Sequence, residues 1–396
     1  MRFPLIMTLI ILLIGFVTDL LIYKSICRVG ARPVWRKLYA VTSVLFALFW
    51  IVLICLPKRS GSDDSFERLM WCIYAYAAFY IPKYIYVVFD LIAGLPRLWH
   101  GKRLRWLSGV GLGIALVVMS GMWWGALVER YIIDVERVDV TIDNLPEAFD
   151  GMTIAQISDL HVGTFGNDTV FVHNLVDEVN ALHPDLIVFT GDIVNRHTSE
   201  LEPFVSTLSR LKSPYGVISI LGNHDYGDYS DWPSDAAKAE NFARLVTLNR
   251  MMGWRLLNNE SVAIDRGGDS LIVIGVENVG DPPFRTYGDL RAAYSALSDS
   301  LPKVLLSHNP AHWENDICGN DSINIALTLS GHTHAMQIKL FGWSPAAMRY
   351  RYWGGLYDDG GKHNLYVNIG SGEVAIPARI GATPEVTLLT LKTKRP

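Results

Sequence analysis

The chain has 396 residues, of which 50% are hydrophobic and 19% are charged, and its mean hydropathy is +0.22. This composition excludes a disordered chain and is too apolar for an ordinary soluble enzyme. Residues 1–128 hold 14 Lys and Arg against 5 Asp and Glu, whereas the remainder holds 21 against 34, so the two parts carry +9 and −13. The acidic second part argues against non-specific binding to nucleic acid, and no nucleic-acid partner is expected.

Four long apolar segments follow one another in the first part of the chain. Each is close to the roughly 20 residues that a helix needs to cross a bilayer. The sequence therefore predicts four transmembrane helices, at Phe3–Tyr23, Leu38–Leu56, Leu69–Leu95 and Trp106–Val128. A cleaved signal peptide would be a single short apolar stretch with a small-residue cleavage site, so the series of four favours a multi-pass membrane domain.

The short loops between these segments predict the orientation of the chain. The first and third loops together hold nine Lys and Arg, whereas the N-terminus, the second loop and the stretch after the fourth segment hold six. Cytoplasmic loops carry the excess of positive charge, so the first and third loops are predicted to be cytoplasmic and the second part of the chain extracytoplasmic. Lys83 and Asp90 lie seven residues apart on one face of the third segment. They either have a function within the membrane or extend toward its surfaces.

From Val138 onward, short β-branched runs alternate with stretches of helical spacing. Five apolar runs have the character of buried strands: Thr153–Ile157, Leu186–Thr190, Val217–Leu221, Val304–Ser307 and Ile325–Leu329. Three helices are predicted between them, at Asn167–Leu182, Ser199–Leu211 and Ala236–Met251. This alternation predicts a layered α/β fold with a site at the carboxyl ends of its strands.

A polar cluster follows each of the five predicted strands. The clusters contain Asp159 and His161; Asp192 and Asn195; Asn223, His224 and Asp225; His308; and His332 and His334. A single histidine at a strand end is usually structural, but five clusters in series predict a shared metal site. Imidazole and carboxylate ligands suit Mn, Fe or Zn. Glycine precedes Asp192, Asn223 and His332 directly, and its lack of a Cβ allows a close approach of the backbone.

The ordered blocks DLH, GDIVN, GNHD, SHNP and GHTH resemble those of the calcineurin-like metallophosphoesterase superfamily, in particular its membrane-associated bacterial branch of the YkuE and YaeI type. The similarity extends from about Gly151 to Leu391 and does not include the four apolar segments. It implies a four-layer α/β sandwich, in which two β-sheets are flanked by helices, preceded by the four transmembrane helices. The implied organisation is a membrane domain at 1–128, a linker with a first strand at 129–150 and a dimetal phosphoesterase domain at 151–396.

The resemblance also implies roles for eight side chains. Asp159, His161 and His334 would bind one divalent metal ion, Asn223, His308 and His332 would bind a second, and Asp192 would bridge the two ions. His224 would contact the phosphate and protonate the leaving oxygen. Two cations about 3.5 to 4 Å apart need such a bridge, and they activate water for in-line attack on phosphorus. For Asp225, orienting His224 and capping a turn remain equal alternatives.

The expected function is that of a membrane-anchored dimetal phosphoesterase, for which manganese is one candidate metal. It would hydrolyse a phosphate ester or pyrophosphate, on a lipid-linked substrate, by attack of metal-bound hydroxide. The alternative is a membrane sensor or transporter whose metal domain binds a phosphorylated ligand without hydrolysis. The branch implies the bacterial inner membrane, and the loop charges then place the catalytic domain on the periplasmic face.

Two departures from the family pattern and one aromatic segment leave further questions. Asn195 stands where many relatives have Asp, and Ala335-Met336 stands where relatives often have Gly-Gly, which could alter the substrate pocket. The segment Phe341–Gly361 is rich in Trp, Tyr and Arg. It either contacts the bilayer or an acyl chain, with Arg349 and Arg351 near headgroup phosphate, or packs on the catalytic core.

Overall fold

The computed structural model describes residues 5–55, 61–281 and 285–394. The chain divides into two compact units. The first comprises Met1–Leu127 and Ala375–Pro377, and the second comprises Val128–Val374 and Ala378–Pro396.

The first unit contains four long helices: α1 (Leu5–Arg28), α2 (Pro33–Cys55), α3 (Asp63–Gly94) and α4 (Arg105–Leu127). All four are long and apolar enough to cross a membrane. The four predicted spans are therefore confirmed as helices in number and order. The starting residue Phe3 and the final residue Leu56 of two predicted spans lie outside the described residues, as do Lys58 and Arg59 of the second loop.

Buried charges in the first unit have partners on other helices. Asp19 on α1 accepts hydrogen bonds from Tyr39 (2.7 Å), Tyr80 (2.8 Å) and Lys83 (2.9 Å), the last of these an ion pair. Such pairing is required where lipid replaces water, since an unpaired charge there is costly. The α3 lysine identified in the sequence is thus bound by an acid on α1, a partner that the sequence spacing did not indicate.

Asp90 forms a second network at one end of the same unit. It accepts hydrogen bonds from Arg28 (2.9 Å), Ser108 (2.9 Å) and Arg103. Lys83 and Asp90 therefore do not pair with each other. Because Arg28 ends α1 and Arg103 precedes α4, the first and third loops lie at the same end of the helix bundle.

The second unit contains two six-stranded sheets. The strands of the first sheet, in spatial order, are β1 (Asp134–Ile142), β12 (Glu385–Thr393), β2 (Thr153–Ile157), β3 (Leu186–Phe189), β4 (Val217–Ser219) and β5 (Arg255–Leu256). Those of the second sheet are β10 (Gly355–Asp358), β11 (Asn364–Val367), β9 (Leu327–Ser330), β8 (Lys303–Leu306), β7 (Asp269–Gly275) and β6 (Glu260–Arg266). The neighbours β2 to β5 are parallel, as are β7, β8, β9 and β11.

Alternating side chains of the central strands fill different layers of the core. On β2, Ile154 packs between the two sheets, whereas Ala155 and Ile157 pack on the opposite face in another apolar cluster. On β8, Val304 and Leu306 pack between the sheets, and Leu305 packs in an outer cluster. Both faces are buried, which explains why these strands are uninterrupted apolar runs. The fold is the four-layer sandwich that the family resemblance implies.

Helices cover both outer faces: α5 (Val170–Ala181), α6 (Val205–Leu208), α7 (Asp235–Met251) and the short α8 (Leu290–Ala293). The five predicted strands are confirmed, with ends within two residues of those predicted. The predicted helix at Ser199–Leu211 is instead a 3-10 helix at Thr198–Phe204 followed by α6. Pro203 interrupts the α-helical hydrogen bonds there, because proline has no backbone N–H.

Candidate metal centre

The first group of ligands joins the ends of two strands from different sheets. Asp159 and His161 follow β2, and His334 follows β9. His334 Nε2 lies 3.2 Å from His161 Nε2 and 3.3 Å from Asp159 Oδ1. All three side chains are buried, and their donor atoms are close enough to bind one cation.

A second group lies beside the first. His308 Nε2 is 3.1 Å from Asp192 Oδ2 and 3.3 Å from His332 Nδ1, and these three residues also converge closely enough to hold a cation. The Asp192 Oδ2 atom is 3.6 Å from His161 Nε2 of the first group. The carboxylate of Asp192 therefore faces both groups, which is the position that a bridging ligand requires.

The histidines use one ring nitrogen for the protein and turn the other toward the centre. His161 Nδ1 lies 3.1 Å from the carbonyl oxygen of Val194, and His308 Nδ1 lies 2.8 Å from that of Thr190. A carbonyl can only accept, so both Nδ1 atoms carry a proton, and Nε2 is the nitrogen that offers a lone pair when the ring is neutral. On His332 the arrangement is reversed, since its Nε2 meets the Tyr350 hydroxyl at 3.3 Å. Such contacts fix the orientation of metal-binding imidazoles.

The candidate ligands have a strained backbone. Five of them have a positive φ although none is glycine: Asp159 (52°), His161 (44°), Asp192 (60°), His332 (76°) and His334 (51°). Strain of this kind concentrates at functional sites, where the surrounding structure holds it in place. The predicted close approach at glycine is found at Gly222, where a Cβ would overlap Asp192, and at Gly331, where it would overlap Ser158 and Asp159.

Asn223 presents a free oxygen. Its Nδ2 donates to the Tyr229 hydroxyl at 2.9 Å, and its Oδ1 is buried without a hydrogen-bond partner among the described residues. A buried, unpartnered amide oxygen costs about 1–3 kcal/mol unless something binds it. With carboxylates, imidazoles and this oxygen converging on one place, the residues present fit a pair of divalent cations.

His224 lies at the edge of the same cluster. Its Nδ1 donates to the carbonyl oxygen of Asn195 at 2.7 Å, which leaves Nε2 available to a ligand. The ring stacks on Tyr229, with centroids 4.0 Å apart and planes 12° apart. The main-chain carbonyl of Asn195 thus orients the His224 ring. This contact does not depend on whether the side chain at residue 195 is Asn or Asp.

The sequence left open whether Asp225 orients His224 or caps a turn. In the structure, Asp225 caps turns through its carboxylate. Its carboxylate accepts hydrogen bonds from the backbone amides of Gly222 (2.8 Å), Asp192 (2.9 Å) and Ile193 (2.9 Å). It therefore ties the loop after β4 to the loop after β3. Glu200, which no sequence pattern indicated, holds the next turn by accepting from the Asn195 amide at 2.6 Å.

Electrostatic interactions keep the two carboxylates ionised. Burial opposes ionisation, but His334 and His308 hold the pKa of Asp159 below its usual value, and His308 and His224 do the same for Asp192. Burial lowers the pKa of His161, and burial together with His308 lowers that of His332 to about 3. His308 differs: despite burial, Asp192 and Asp159 raise its pKa to about 10.

An open cavity of about 260 Å³ reaches the cluster. Its lining includes Asp192, Asn223, His224, His332 and His334, together with Tyr229, Asn278, Asn309, Arg349 and Tyr350. Ala335 and Met336 do not line it. Ala335 is buried against Ile369 and Ala382, and Met336 points to the exterior. Both have a positive φ, of 51° and 47°, a backbone conformation that glycine adopts more readily than other residues.

Comparisons with known proteins agree with this architecture. The calcineurin-like phosphoesterase family matches residues 152–336, and the transmembrane domain of probable calcineurin-like phosphoesterases matches residues 1–130. The metallophosphoesterase YkuE of Bacillus subtilis is 29% identical over 75% of this chain and 99% of its own length. A metallophosphoesterase of Campylobacter jejuni is 26% identical over 99% of both chains.

A relative with a named substrate is also found. The UDP-2,3-diacylglucosamine pyrophosphatase LpxG of Chlamydia trachomatis is 29% identical over 57% of this chain and 76% of its own length. The chain therefore contains a calcineurin-like phosphoesterase domain, matched at residues 152–336, joined to a transmembrane domain of the type found in probable calcineurin-like phosphoesterases, matched at residues 1–130.

Proposed function

We propose that the second unit hydrolyses a phosphate ester or pyrophosphate with two divalent metal ions. The observation that carries this proposal is the position of Asp192, whose carboxylate faces His161 on one side and His308 on the other. Asp159, His161 and His334 hold one ion, and Asn223, His308 and His332 hold the other. Asp192 belongs to both sets.

The ligand set indicates the type of metal and its contribution. Imidazole nitrogens with carboxylate and amide oxygens suit Mn, Fe or Zn. Such a pair, when bound, lowers the pKa of a shared water and stabilises the attacking and leaving oxygens. The strained backbones of these residues and the Nδ1 contacts to carbonyl groups orient the donor atoms before a metal ion binds.

His224 is proposed to protonate the leaving oxygen. Its Nε2 is free, since Nδ1 is committed to the Asn195 carbonyl, and it lines the cavity beside Asp192 and Asn223. Burial lowers the pKa of His224, so an approaching phosphate must supply the negative charge that favours the protonated ring. The stacked Tyr229 ring holds the imidazole plane in place.

We propose that the substrate is lipid-linked, and two observations support this proposal. The four apolar helices hold the enzyme at a membrane, where amphiphilic substrates are concentrated. The relative from Chlamydia trachomatis is named for a pyrophosphate attached to a diacylated sugar. We infer a phosphate or pyrophosphate joined to an acylated or polyprenyl group as the substrate class.

The bacterial inner membrane, with the catalytic unit on the periplasmic side, is the proposed location. The first and third loops carry nine of the Lys and Arg residues near the spans, and both lie at the same end of the helix bundle. A reporter fused to the C-terminus tests this proposal. Alkaline phosphatase activity supports the periplasmic side, whereas fluorescence of a C-terminal green fluorescent protein contradicts it.

The full-length protein, purified in detergent and supplied with Mn²⁺, tests the reaction on bis-p-nitrophenyl phosphate. We expect turnover by the wild type, and loss in Asp192→Asn. His224→Ala should lose more activity on an alkyl ester, whose leaving group needs a proton, than on the nitrophenyl ester; general acids contribute about 10²–10⁴-fold. Phosphate binding without turnover by the metal-loaded wild type would instead support the sensor or transporter alternative.

A further inference from the structure

The segment after His334, the last candidate metal ligand in the chain, carries an exposed apolar tip. Leu340 and Trp343 pair across a two-residue turn, with backbone hydrogen bonds of 2.8 and 3.0 Å. Phe341 and Gly342 occupy the turn with φ of 52° and 80°. These dihedral angles are those of a tight hairpin turn, which normally holds Asn or Gly at its first central position. We name residues 339–343 the apolar hairpin.

The side chains of this region are directed away from the protein. Phe341 is fully exposed (106%), Met348 is 83% exposed, and Trp343 and Leu340 are about half exposed, at 52% and 50%. With Met336, five of the exposed large apolar side chains described in the second unit lie within residues 336–348. Of the others, Val128, Tyr131 and Ile132 follow α4 directly, and Val170, Met251, Leu301 and Leu356 are distributed singly, which is normal for a protein surface.

The base of the hairpin is rigid. Lys339 donates its amide hydrogen to Ile380 at 2.9 Å, and the buried Gln337 donates to Ala378 at 2.7 Å and accepts from Val374 at 2.7 Å. The buried Ser344 hydroxyl donates to the Ala335 carbonyl at 2.5 Å. The exposed side chains are therefore held outward by a fixed scaffold.

The aromatic segment noted in the sequence divides into two parts. Tyr352 packs edge-on against Trp313, at a centroid distance of 5.1 Å, and Trp353 packs on the cluster of Ala335 and Ile369. This second part belongs to the core. Arg349 and Arg351 pair with Asp281 and Glu314, at 3.3 and 3.8 Å. In the first part, around the hairpin, the large apolar side chains remain exposed.

We propose that the apolar hairpin inserts into the interfacial region of the lipid bilayer. Phe, Trp, Leu and Met beside a Lys are the residues that bind this region, where aromatic rings and cationic side chains concentrate. The four membrane-spanning helices of the same chain keep lipid within reach.

The contact has a consequence for catalysis. The hairpin lies between His334 and the cavity residues Arg349 and Tyr350 in the chain, so anchoring it in lipid holds this rim of the cavity at headgroup level. The lipid contact itself requires no catalytic step. It can therefore be tested independently of the proposed hydrolysis.

The test uses full-length protein in nanodiscs of phosphatidylethanolamine and phosphatidylglycerol. Cys27, Cys55, Cys72 and Cys318 are replaced by Ala, and single cysteines are introduced by Phe341→Cys or, as a matched control, by Met251→Cys, whose side chain is 65% exposed. Each is labelled with a nitrobenzoxadiazole fluorophore. We expect lipids that carry a doxyl spin label near the headgroup to quench the label at 341 at least twofold more than the label at 251.

Equal quenching at the two positions would overturn the proposal. So would a label at 341 that aqueous iodide quenches as fully as it quenches the label at 251, because that label would lie in water. A label at 341 shielded from both quenchers would show a protein cover and also contradict the proposal. Met348→Cys provides a second site if the turn does not tolerate cysteine, and thermal unfolding checks that each labelled variant is folded.

Discussion

Buried carboxylates occur in both units of the chain, but those of the helical unit and those of the candidate metal centre have different partners. In the helical unit, Asp19 is paired with Lys83, and Asp90 is paired with Arg28 and Arg103. In the phosphoesterase unit, Asp159 and Asp192 contact histidines, the Ser158 hydroxyl and backbone amides. Among the described residues, neither forms an ion pair with Lys or Arg.

This difference separates charge that stabilises the fold from charge that is available for binding. A carboxylate neutralised by arginine has no remaining demand for a cation. A buried carboxylate surrounded by imidazoles can bind a metal ion together with them, because an imidazole can lose its proton and become a ligand, whereas an arginine cannot. The first pattern predicts a loss of stability on mutation, and the second predicts a loss of metal.

The largest expected effect is that of Asp192→Asn. Removing the shared carboxylate should lower the turnover of bis-p-nitrophenyl phosphate about 10³-fold or more, because the metal pair contributes several kcal/mol to the transition state. Elemental analysis should show at most one equivalent of metal. The control is Asp177→Asn, at an exposed acid paired with Arg210, which should retain both metal and activity. Full metal content in Asp192→Asn would contradict the assignment of the bridge.

Asp90→Asn should have the opposite consequence. It leaves Arg28 and Arg103 without their carboxylate, and breaking a buried pair costs about 3 kcal/mol or more. We expect a lower unfolding midpoint in detergent and unchanged metal content. Asp64→Asn is the matched control, because Asp64 forms an exposed pair with Arg68 at 4.0 Å on the same helix and should change stability by only a few tenths of a kcal/mol. Metal loss in Asp90→Asn would remove the distinction between these two kinds of buried carboxylate.

Tyr229→Phe should have a smaller effect on the metal centre. The variant keeps the ring that stacks on His224 but loses the hydroxyl that fixes the Asn223 amide. Loss of such an outer contact typically weakens metal binding 10–100-fold, and we expect about tenfold weaker binding of one of two ions, measured by titration calorimetry. Tyr294→Phe, which removes a hydroxyl bonded to Asp299, should leave both affinities unchanged. Equal affinities in wild type and Tyr229→Phe would show that the hydroxyl does not orient the ligand.

The last expected effect, at most about tenfold for each pH unit, is a pH dependence of metal binding. In the metal-free protein the pKa of His308 is raised to about 10, so its ring is protonated at neutral pH and must lose the proton when it binds metal. Affinity should therefore rise with pH, by at most about tenfold per unit below pH 10. Calorimetry in two buffers of different protonation enthalpy would measure the released proton. An affinity unchanged between pH 6 and pH 9 would be inconsistent with this assignment.

Much of the fold could be predicted from periodicity. The spans were recognisable because lipid requires long apolar helices, and the central strands because both of their faces are buried. The hairpin of β6 and β7 was missed, although Gly267-Gly268 between two alternating runs is a turn signal. The helix predicted to begin at Ser199 was wrong in type, because Pro203 lacks the backbone N–H that an α-helix needs there.

The candidate site was predictable to the extent that its residues lie at strand ends. Parallel strands bring their carboxyl ends together, so the clusters after β2, β3 and β4 had to meet. Contacts that depend on loop conformation could not be predicted. Tyr229 stacks on His224 from five residues away, and Glu200 binds the turn at Asn195, without any periodicity to indicate either contact. In the same way, Asp19 as the partner of Lys83 depends on the packing of α1 against α3.

The most direct test is electron paramagnetic resonance of the full-length protein reconstituted with Mn²⁺, combined with elemental analysis. A carboxylate bridge between ions about 3.5 to 4 Å apart predicts two equivalents of manganese per chain and an exchange-coupled signal that Asp192→Asn abolishes. A wild-type protein that binds no manganese, a single ion or two uncoupled ions would contradict the dimetal centre.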